Sequence, residues 1–187
     1  MRLIAKLLQI FTFGASMSEI QKWFDRKFDL SFPAALYPNI LVRLRGTPAR
    51  LEELVRPYSR QTLTHQPDGT WSIQENVGHL LDLEPLWLSR LDDFASGMEM
   101  LRAADLSNRK THQANHNSHK VGEILSEFRK MRGQLVERAE NLDPKMYSRT
   151  ALHPRLKTPM RLVDHLYFVA EHDDHHMARI WQLGRIR

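Results

Sequence analysis

The sequence contains no cysteine. This absence excludes a disulfide framework, a thiolate zinc site, iron–sulfur ligation and a cysteine nucleophile. Any bound metal ion must therefore be held by imidazole and oxygen ligands, which leaves Zn, Ni, Fe, Mn and Co as candidates. A chain without cysteine is compatible with a reducing compartment, and we expect a cytoplasmic protein.

Long apolar runs are also lacking. No stretch of the 187 residues is long and apolar enough to span a bilayer. In residues 1–16, Arg2 and Lys6 accompany a short apolar run that is broken by polar residues, and the segment loosely resembles a signal peptide. The alternative is a translation start at Met17.

Acidic residues do not balance the basic ones, and the formal net charge is +5. A basic chain permits nucleic-acid binding. The basic residues are nevertheless spread along the sequence, with Arg43, Arg45 and Arg50 as the densest group. We interpret them as a solvated helix face and expect no nucleic-acid partner.

Four long segments carry apolar residues at helical spacing, and no segment alternates as a strand would. They run through residues 40–55, 73–91, 121–136 and 159–183. The stretch 103–120 is polar and rich in asparagine, which predicts a loop. Periodicity therefore predicts an all-α protein, drawn most simply as an up-and-down four-helix bundle.

Local signals mark where two of these helices begin or bend. Thr47-Pro48 interrupts the first segment, either as a kink or as a new start with Thr47 as N-cap. Ser72 and Glu75 form the pattern of a capping box at the start of the second segment. Pro85 lies inside that segment and should bend it.

The last segment carries the strongest chemical signal, in the string Glu171-His-Asp-Asp-His-His176. His172 and His176 are four residues apart, so they project from one helix face about one turn apart. This spacing allows two imidazoles to bind one metal ion. At helical spacing His165 falls in the same strip, whereas His175 faces away and is expected to meet solvent.

A third ligand is needed to complete such a site. The string His172-Asp-x-x-His176 resembles a zincin helix with aspartate in place of the catalytic glutamate, but zincins take their third ligand from downstream. Residues 177–187 contain neither histidine nor acid. The third ligand must come from upstream, and His79 is the best candidate because it flanks the apolar stripe of the second segment. Three imidazoles from two helices leave a coordination position open, as in catalytic or substrate-binding metal sites.

Two acids lie where apolar residues are expected. Glu84 and Asp173 fall near the centres of the apolar faces of their helices. Burial of a carboxylate costs several kcal/mol unless it is paired. Either these acids orient metal-bound imidazoles through the second ring N–H, or they pair with an arginine or a backbone N–H inside the bundle.

A second histidine group consists of His112, His116 and His119. Its surroundings are polar, and no apolar stripe defines a helix there. We regard it as a weak alternative metal site whose members could instead line the mouth of the first one.

The chain resembles the DinB-like, YfiT-type superfamily of metal-binding helical bundles. The resemblance is carried by Trp71-Ser-Ile-Gln-Glu, by His79-Leu-Leu-Asp-Leu-Glu84 and by Glu171-His-Asp-Asp-His-His-Met-Ala-Arg-Ile180, in this order and spacing. It covers roughly residues 32 to 184. We therefore divide the chain into an N-terminal extension, residues 1–31, and one DinB-like domain, residues 32–187.

The resemblance implies a four-helix bundle in up-down-down-up order, which differs from the order that periodicity suggests. It also implies a three-histidine site for one Ni or Zn ion, with the family's ligands falling on His79, His172 and His176. Members of the family are frequently homodimers. Some resemble S-transferases that use a low-molecular-weight thiol such as bacillithiol, mycothiol or glutathione, and others are hydrolase-like.

Two functional hypotheses follow. The first is a metal-dependent thiol S-transferase or hydrolase that acts on a small electrophilic substrate, with the metal as Lewis acid. The second is a non-catalytic metal-binding module for stress response or metal sensing. The second hypothesis predicts a closed site, with a fourth protein ligand and no cavity beside it.

Overall fold

Four long helices form the bundle, as the periodicity predicts, and they account for about half of the residues that the structure describes. The computed structural model describes residues 20–186. Its helices and strands are α1 Tyr37–Val55, α2 Arg60–Thr64, α3 Ile73–Ala95, α4 Arg109–Gln113, α5 Val121–Glu140, β1 Thr150–Leu152, β2 Pro159–Arg161 and α6 Leu162–Leu183. The all-α prediction is confirmed for the bundle, and the question of a signal peptide in residues 1–16 lies outside the described residues.

The long helices are not arranged as neighbours in chain order. Helix α1 packs against α5 and α6, and α3 packs against the same two helices, so α1 and α3 lie at opposite corners. The links that cross the two diagonals are long, residues 56–72 and residues 141–161. This arrangement agrees with the up-down-down-up order implied by the family resemblance. The simple up-and-down order is wrong, because it would place every consecutive pair side by side.

The expectation of a strand-free chain is wrong in one place. Strands β1 and β2 pair antiparallel in the link before α6, with Thr150 opposite Arg161. Three-residue strands are too short for alternation to be recognised in the sequence. Helix α6 consequently begins at Leu162 and not at Pro159. At this first turn, the side chain of Asp164 accepts the backbone N–H of Arg161 at 2.8 Å.

Helix α1 runs without interruption through Pro48, so Thr47 does not begin a new helix. Proline has no N–H to donate to the carbonyl four residues earlier, that of Leu44. The Nη1 atom of Arg132 lies 3.5 Å from this carbonyl oxygen, a weak contact. The hydroxyl of Thr47 donates to Asp173 on α6 at 2.9 Å.

Helix α3 begins as predicted. The Ser72 hydroxyl accepts the Glu75 N–H at 3.0 Å, and the Glu75 carboxylate accepts the Ser72 N–H at 2.8 Å. This capping box places His79 in the second turn of the helix. The helix continues through Pro85 to Ala95.

The stretch 103–120 was predicted as a loop, but it contains α4 and a 3₁₀ turn at His116–Ser118. The Asp105 carboxylate accepts the backbone N–H of Arg109 at 3.2 Å and so supports the first turn of α4. A five-residue helix is too short to show periodicity. These short elements pack on α3 and position Thr111 and His116 against it.

The described part of the N-terminal extension packs on the bundle. The rings of Trp23 and Phe28 lie 5.0 and 5.1 Å from the ring of Phe168 on α6. Arg26 forms an ion pair with Glu171 on the same helix. Residues 20–31 therefore cover one side of α6.

The densest basic group is largely neutralised by acids. Arg43 and Arg50 both contact Asp174, at 2.5 and 2.8 Å, and Arg45 contacts Glu140 at 2.5 Å. These pairs give no support to a nucleic-acid surface. Within residues 20–186, no helix combines the length and the hydropathy needed to cross a membrane.

Candidate metal centre

Three histidines from two helices meet at one point inside the bundle. Helix α3 supplies His79, and α6 supplies His172 and His176. One ring nitrogen from each lies within 4.8 Å of the other two. All three side chains are buried, with 4%, 4% and 8% of their surface exposed. The structure thus brings together the three residues that the sequence analysis singled out.

A hydrogen bond to Asn76 orients His176. The Nδ1 atom of His176 lies 2.9 Å from the Asn76 side-chain oxygen. The Asn76 amide nitrogen donates to the carbonyl of Ser72 at 2.8 Å, so its oxygen must face the imidazole. The proton of His176 is therefore on Nδ1, and Nε2 keeps a free lone pair. Sequence reasoning missed Asn76, although its position three residues before His79 was a usable signal.

A second chain of hydrogen bonds orients His79. Its Nδ1 atom lies 3.1 Å from the hydroxyl of Thr111, which in turn bonds to the Asp82 carboxylate. Because the hydroxyl donates to the carboxylate, it accepts the proton of His79 Nδ1. Asp82 and Thr111 were also missed, and only Asp82 has a local signal, its position three residues after His79.

His172 is held differently. Its Nδ1 atom is buried and has no hydrogen-bond partner within the described residues. The rings of Trp23 and Trp87 lie 5.0 and 5.7 Å from its ring. A buried polar atom without a partner costs free energy. Such an atom is expected in a site that is completed by a ligand.

The three imidazoles are neutral over a wide pH range. Burial lowers the pKa of His79 to about 4, although the charge of Asp82 raises it. Burial, followed by the neighbouring imidazoles, lowers the pKa of His172 and of His176 well below the ordinary value. The neutral imidazole is the form that binds metal. This donor set fits a divalent ion such as Zn or Ni.

Glu84 and Asp173 pair with an arginine inside the bundle, which is the second of the two roles predicted for them. Both bond to the guanidinium of Arg132 on α5, each at 2.5 Å, and all three side chains are almost fully buried. Within residues 20–186 neither acid makes a hydrogen bond to one of the three imidazoles. The forked guanidinium satisfies both carboxylates at once. It also ties together α3 and α6, the helices that carry the three histidines.

Two other histidines of α6 stay outside the cluster. His165 is fully buried in the core. His175 was expected to meet solvent, but it is half-buried and its ring lies 5.6 Å from that of Trp23. Burial, with the charges of Arg26 and Arg179, lowers the pKa of His175 to about 4. The expectation failed because the N-terminal extension covers this face of the helix.

The alternative histidine group does not converge on one point. The His116 ring bonds to Asp82 at 2.8 Å, and His119 is exposed. The His112 ring lies 5.7 Å from that of Trp71, whose own ring is 4.7 Å from His79, so His112 borders the site. Across residues 20–186, His79, His172 and His176 form the one group with metal-binding geometry.

A cavity of about 290 Å³ opens onto the three imidazoles. Its walls are mainly aromatic, with side chains from the N-terminal extension, from the link before α3, and from α3 and α6: Trp23, Phe24, Trp71, Trp87 and Phe168. No fourth histidine or acid of the described residues joins the cluster. An open coordination side next to a cavity is typical of a catalytic metal site.

Comparison with known proteins identifies the family. The chain resembles the solved structure of YfiT from Bacillus subtilis, described as a probable metal-dependent hydrolase with an unusual four-helix bundle topology, with 20% sequence identity and a TM-score of 0.74. The alignment covers 86% of this chain and 92% of that one, and at this identity it shows a shared fold. No curated protein matches the sequence. The family model of the DinB superfamily matches residues 43–180, and the chain belongs to that superfamily.

Proposed function

We propose that this protein is a metal-dependent enzyme, a hydrolase or a thiol S-transferase that acts on a small electrophilic substrate. One observation carries the proposal: three neutral, buried imidazoles converge beside an aromatic cavity and leave one side without a protein ligand. The description of the YfiT structure as a probable metal-dependent hydrolase supports the hydrolase of these two reaction classes.

His79, His172 and His176 would hold one divalent ion, Ni or Zn. Such an ion supplies Lewis acidity, which makes a thiol or a water molecule a stronger nucleophile near neutral pH. Asn76 and Thr111 keep the Nε2 lone pairs of their histidine partners free by binding the Nδ1 protons. The aromatic walls exclude water and receive the apolar part of the substrate.

Neither reaction class requires a nucleophile from the protein. A low-molecular-weight thiol, bound as cosubstrate, supplies the sulfur in the transferase case, and this suits a chain without cysteine. A water molecule takes its place in the hydrolase case.

A non-catalytic sensor or stress-response module is the weaker alternative. It predicts a closed site with a fourth protein ligand. The cavity beside the imidazoles, and the lack of a fourth ligand among residues 20–186, count against it.

The test is a comparison of His172→Ala with His119→Ala, an exposed histidine outside the site. Protein purified without metal-affinity resin should hold about one equivalent of Ni or Zn by elemental analysis. It should also hydrolyse an activated ester or transfer a thiol to chlorodinitrobenzene. His172→Ala should lose metal and activity together, and His119→Ala should keep both. Activity in a metal-free His172→Ala protein would refute the proposal.

Three properties remain predictions from the sequence: nickel or zinc as the metal, a homodimeric state, and a cytoplasmic location. Elemental analysis addresses the metal. Sedimentation equilibrium addresses the dimer.

A further inference from the structure

The same cavity is lined by three nitrogen donors that the metal centre does not use, those of Arg90, His153 and Arg155. The Nη2 atom of Arg155 is buried and lacks a hydrogen-bond acceptor within residues 20–186. The guanidinium stacks on the rings of Phe24 and Phe168, at 5.1 and 5.9 Å from the ring centroids. A cation held between aromatic rings without an acceptor retains its capacity to bind an anion.

The tautomer of His153 is determined by its backbone contact. The N–H of Leu156 donates to His153 Nδ1 at 3.1 Å, so this nitrogen carries the lone pair. Burial, with the charges of Arg90 and Arg155, lowers the pKa of His153 to about 3, and the ring is neutral. Its one proton is therefore on Nε2.

This proton faces another donor. The Nε2 atom of His153 lies 3.4 Å from Nη1 of Arg90. The other guanidinium nitrogens of Arg90, Nε and Nη2, already donate to the carbonyl of Arg102 at 3.0 and 2.9 Å. Two N–H groups that face each other gain nothing from the contact, whereas one oxygen between them can accept from both.

The charge at this part of the cavity is not balanced. Within residues 20–186 no salt bridge involves Arg155, and burial lowers its pKa. Asp105 also lines the cavity, but its carboxylate accepts hydrogen bonds from Ser107 and Arg109. Burial lowers the pKa of Arg90 and the charge of Asp93 opposes this shift, but Asp93 is itself paired with Arg102. Arg90 and Arg155 therefore leave net positive charge facing the cavity.

We propose that Arg155, Arg90 and His153 form a subsite for the anionic group, carboxylate or phosphate, of the molecule that reacts at the imidazoles. Phe168, which the Arg155 guanidinium contacts, lies one turn before His172 on α6, about 6 Å along the helix axis. A small aromatic acid has the size to place its anionic group on Arg155, its ring against the tryptophans and its other end at the imidazoles. The role of this subsite in catalysis rests on the proposed function, whereas its affinity for anions does not.

The experiment is calorimetric titration of the full chain with benzoate, phenyl phosphate and the neutral benzamide. Wild-type protein and the variants Arg155→Gln and Lys157→Gln are compared, as purified and after treatment with chelator. Lys157 is exposed and two residues away, so its replacement removes the same charge outside the cavity. Thermal melting verifies that each variant is folded.

The anions should bind the wild type at least about tenfold more tightly than benzamide, because charged hydrogen bonds are lost with the amide. Arg155→Gln should lose at least about tenfold in anion affinity, and Lys157→Gln should match the wild type. The preference between benzoate and phenyl phosphate assigns the anion as carboxylate or phosphate.

The inference would be overturned by no binding of either anion, by equal binding of benzamide, or by unchanged anion affinity in a folded Arg155→Gln. Loss of wild-type anion binding after chelation would also overturn it, because the metal would then be the anion's partner. Metal content of the same samples separates the two proposals. If the protein never holds metal but binds anions through Arg155, the proposed metal-dependent activity is refuted and the proposed anion subsite is supported.

Discussion

Replacement of Arg132 by methionine tests the buried ion triad that joins α3 and α6, the helices that carry the three clustered histidines. In the wild type the guanidinium lies between Glu84 on α3 and Asp173 on α6, with contacts of 2.5 Å to each. Methionine has a similar length but no charge. The variant therefore leaves two carboxylates in the core without their cation.

The expected loss is large because, within residues 20–186, Arg132 is the cation that pairs with both acids. Removal of one member of a buried ion pair costs about 3–5 kcal/mol. For a chain of 150–250 residues this corresponds to a fall in Tm of roughly 6–20 °C. The loss should be smaller at pH 5 than at pH 7, because burial already raises the pKa of Glu84 beside Arg132 and protonation removes the unpaired charge.

Urea unfolding at both pH values measures these losses, with Arg129→Met as the matched control. Arg129 lies on the same helix, is half-exposed and pairs with Glu52 at the surface, so its replacement should cost at most about 1 kcal/mol. A second control adds Glu84→Leu and Asp173→Leu to Arg132→Met and should recover most of the loss, because no charge is then buried. A loss of stability in Arg132→Met no larger than that in Arg129→Met would contradict the role of the buried triad.

Three further predictions concern the site and its surroundings. Asn76→Ala should weaken zinc binding about 10- to 100-fold in competition with a chelator, because His176, a proposed metal ligand, loses the acceptor that holds its tautomer. Unchanged affinity would contradict this role. Gly78→Ala should cost about 1–3 kcal/mol in urea unfolding, because the added Cβ would lie 2.2 Å from the ring of His116. Gly133→Ala should stabilise by about 0.5–1 kcal/mol, since nothing lies near its Cβ, and equal effects at both glycines would refute this account. The free energy of unfolding of the metal-free protein should fall by up to about 3 kcal/mol between pH 6.5 and pH 4, because in this range His79 binds a proton only in the unfolded chain. In His79→Gln the free energy of unfolding should depend correspondingly less on pH.

Features that depend on near neighbours in the chain could be predicted from the residues alone. The spacing of His172 and His176 identified one face of the last helix, because residues four apart always share a face. The capping box at Ser72 and Glu75 marked the start of α3 for the same reason. The resemblance to the DinB-like family implied the up-down-down-up order of the helices, whereas periodicity alone suggested a simple up-and-down order.

The groups that surround each functional side chain could be identified only from the folded structure. The Asn76 contact with His176 and the Thr111 contact with His79 join residues 100 and 32 positions apart. Arg132 could not be recognised from the sequence as the partner of Glu84 and Asp173, because arginine is usually found on exposed helix faces. The packing of Trp23 on His175 and the contact between Arg90 and His153 in the cavity likewise join segments that are remote in sequence. Local spacing dictates which side chains share a face, whereas their partners are set by packing between distant segments.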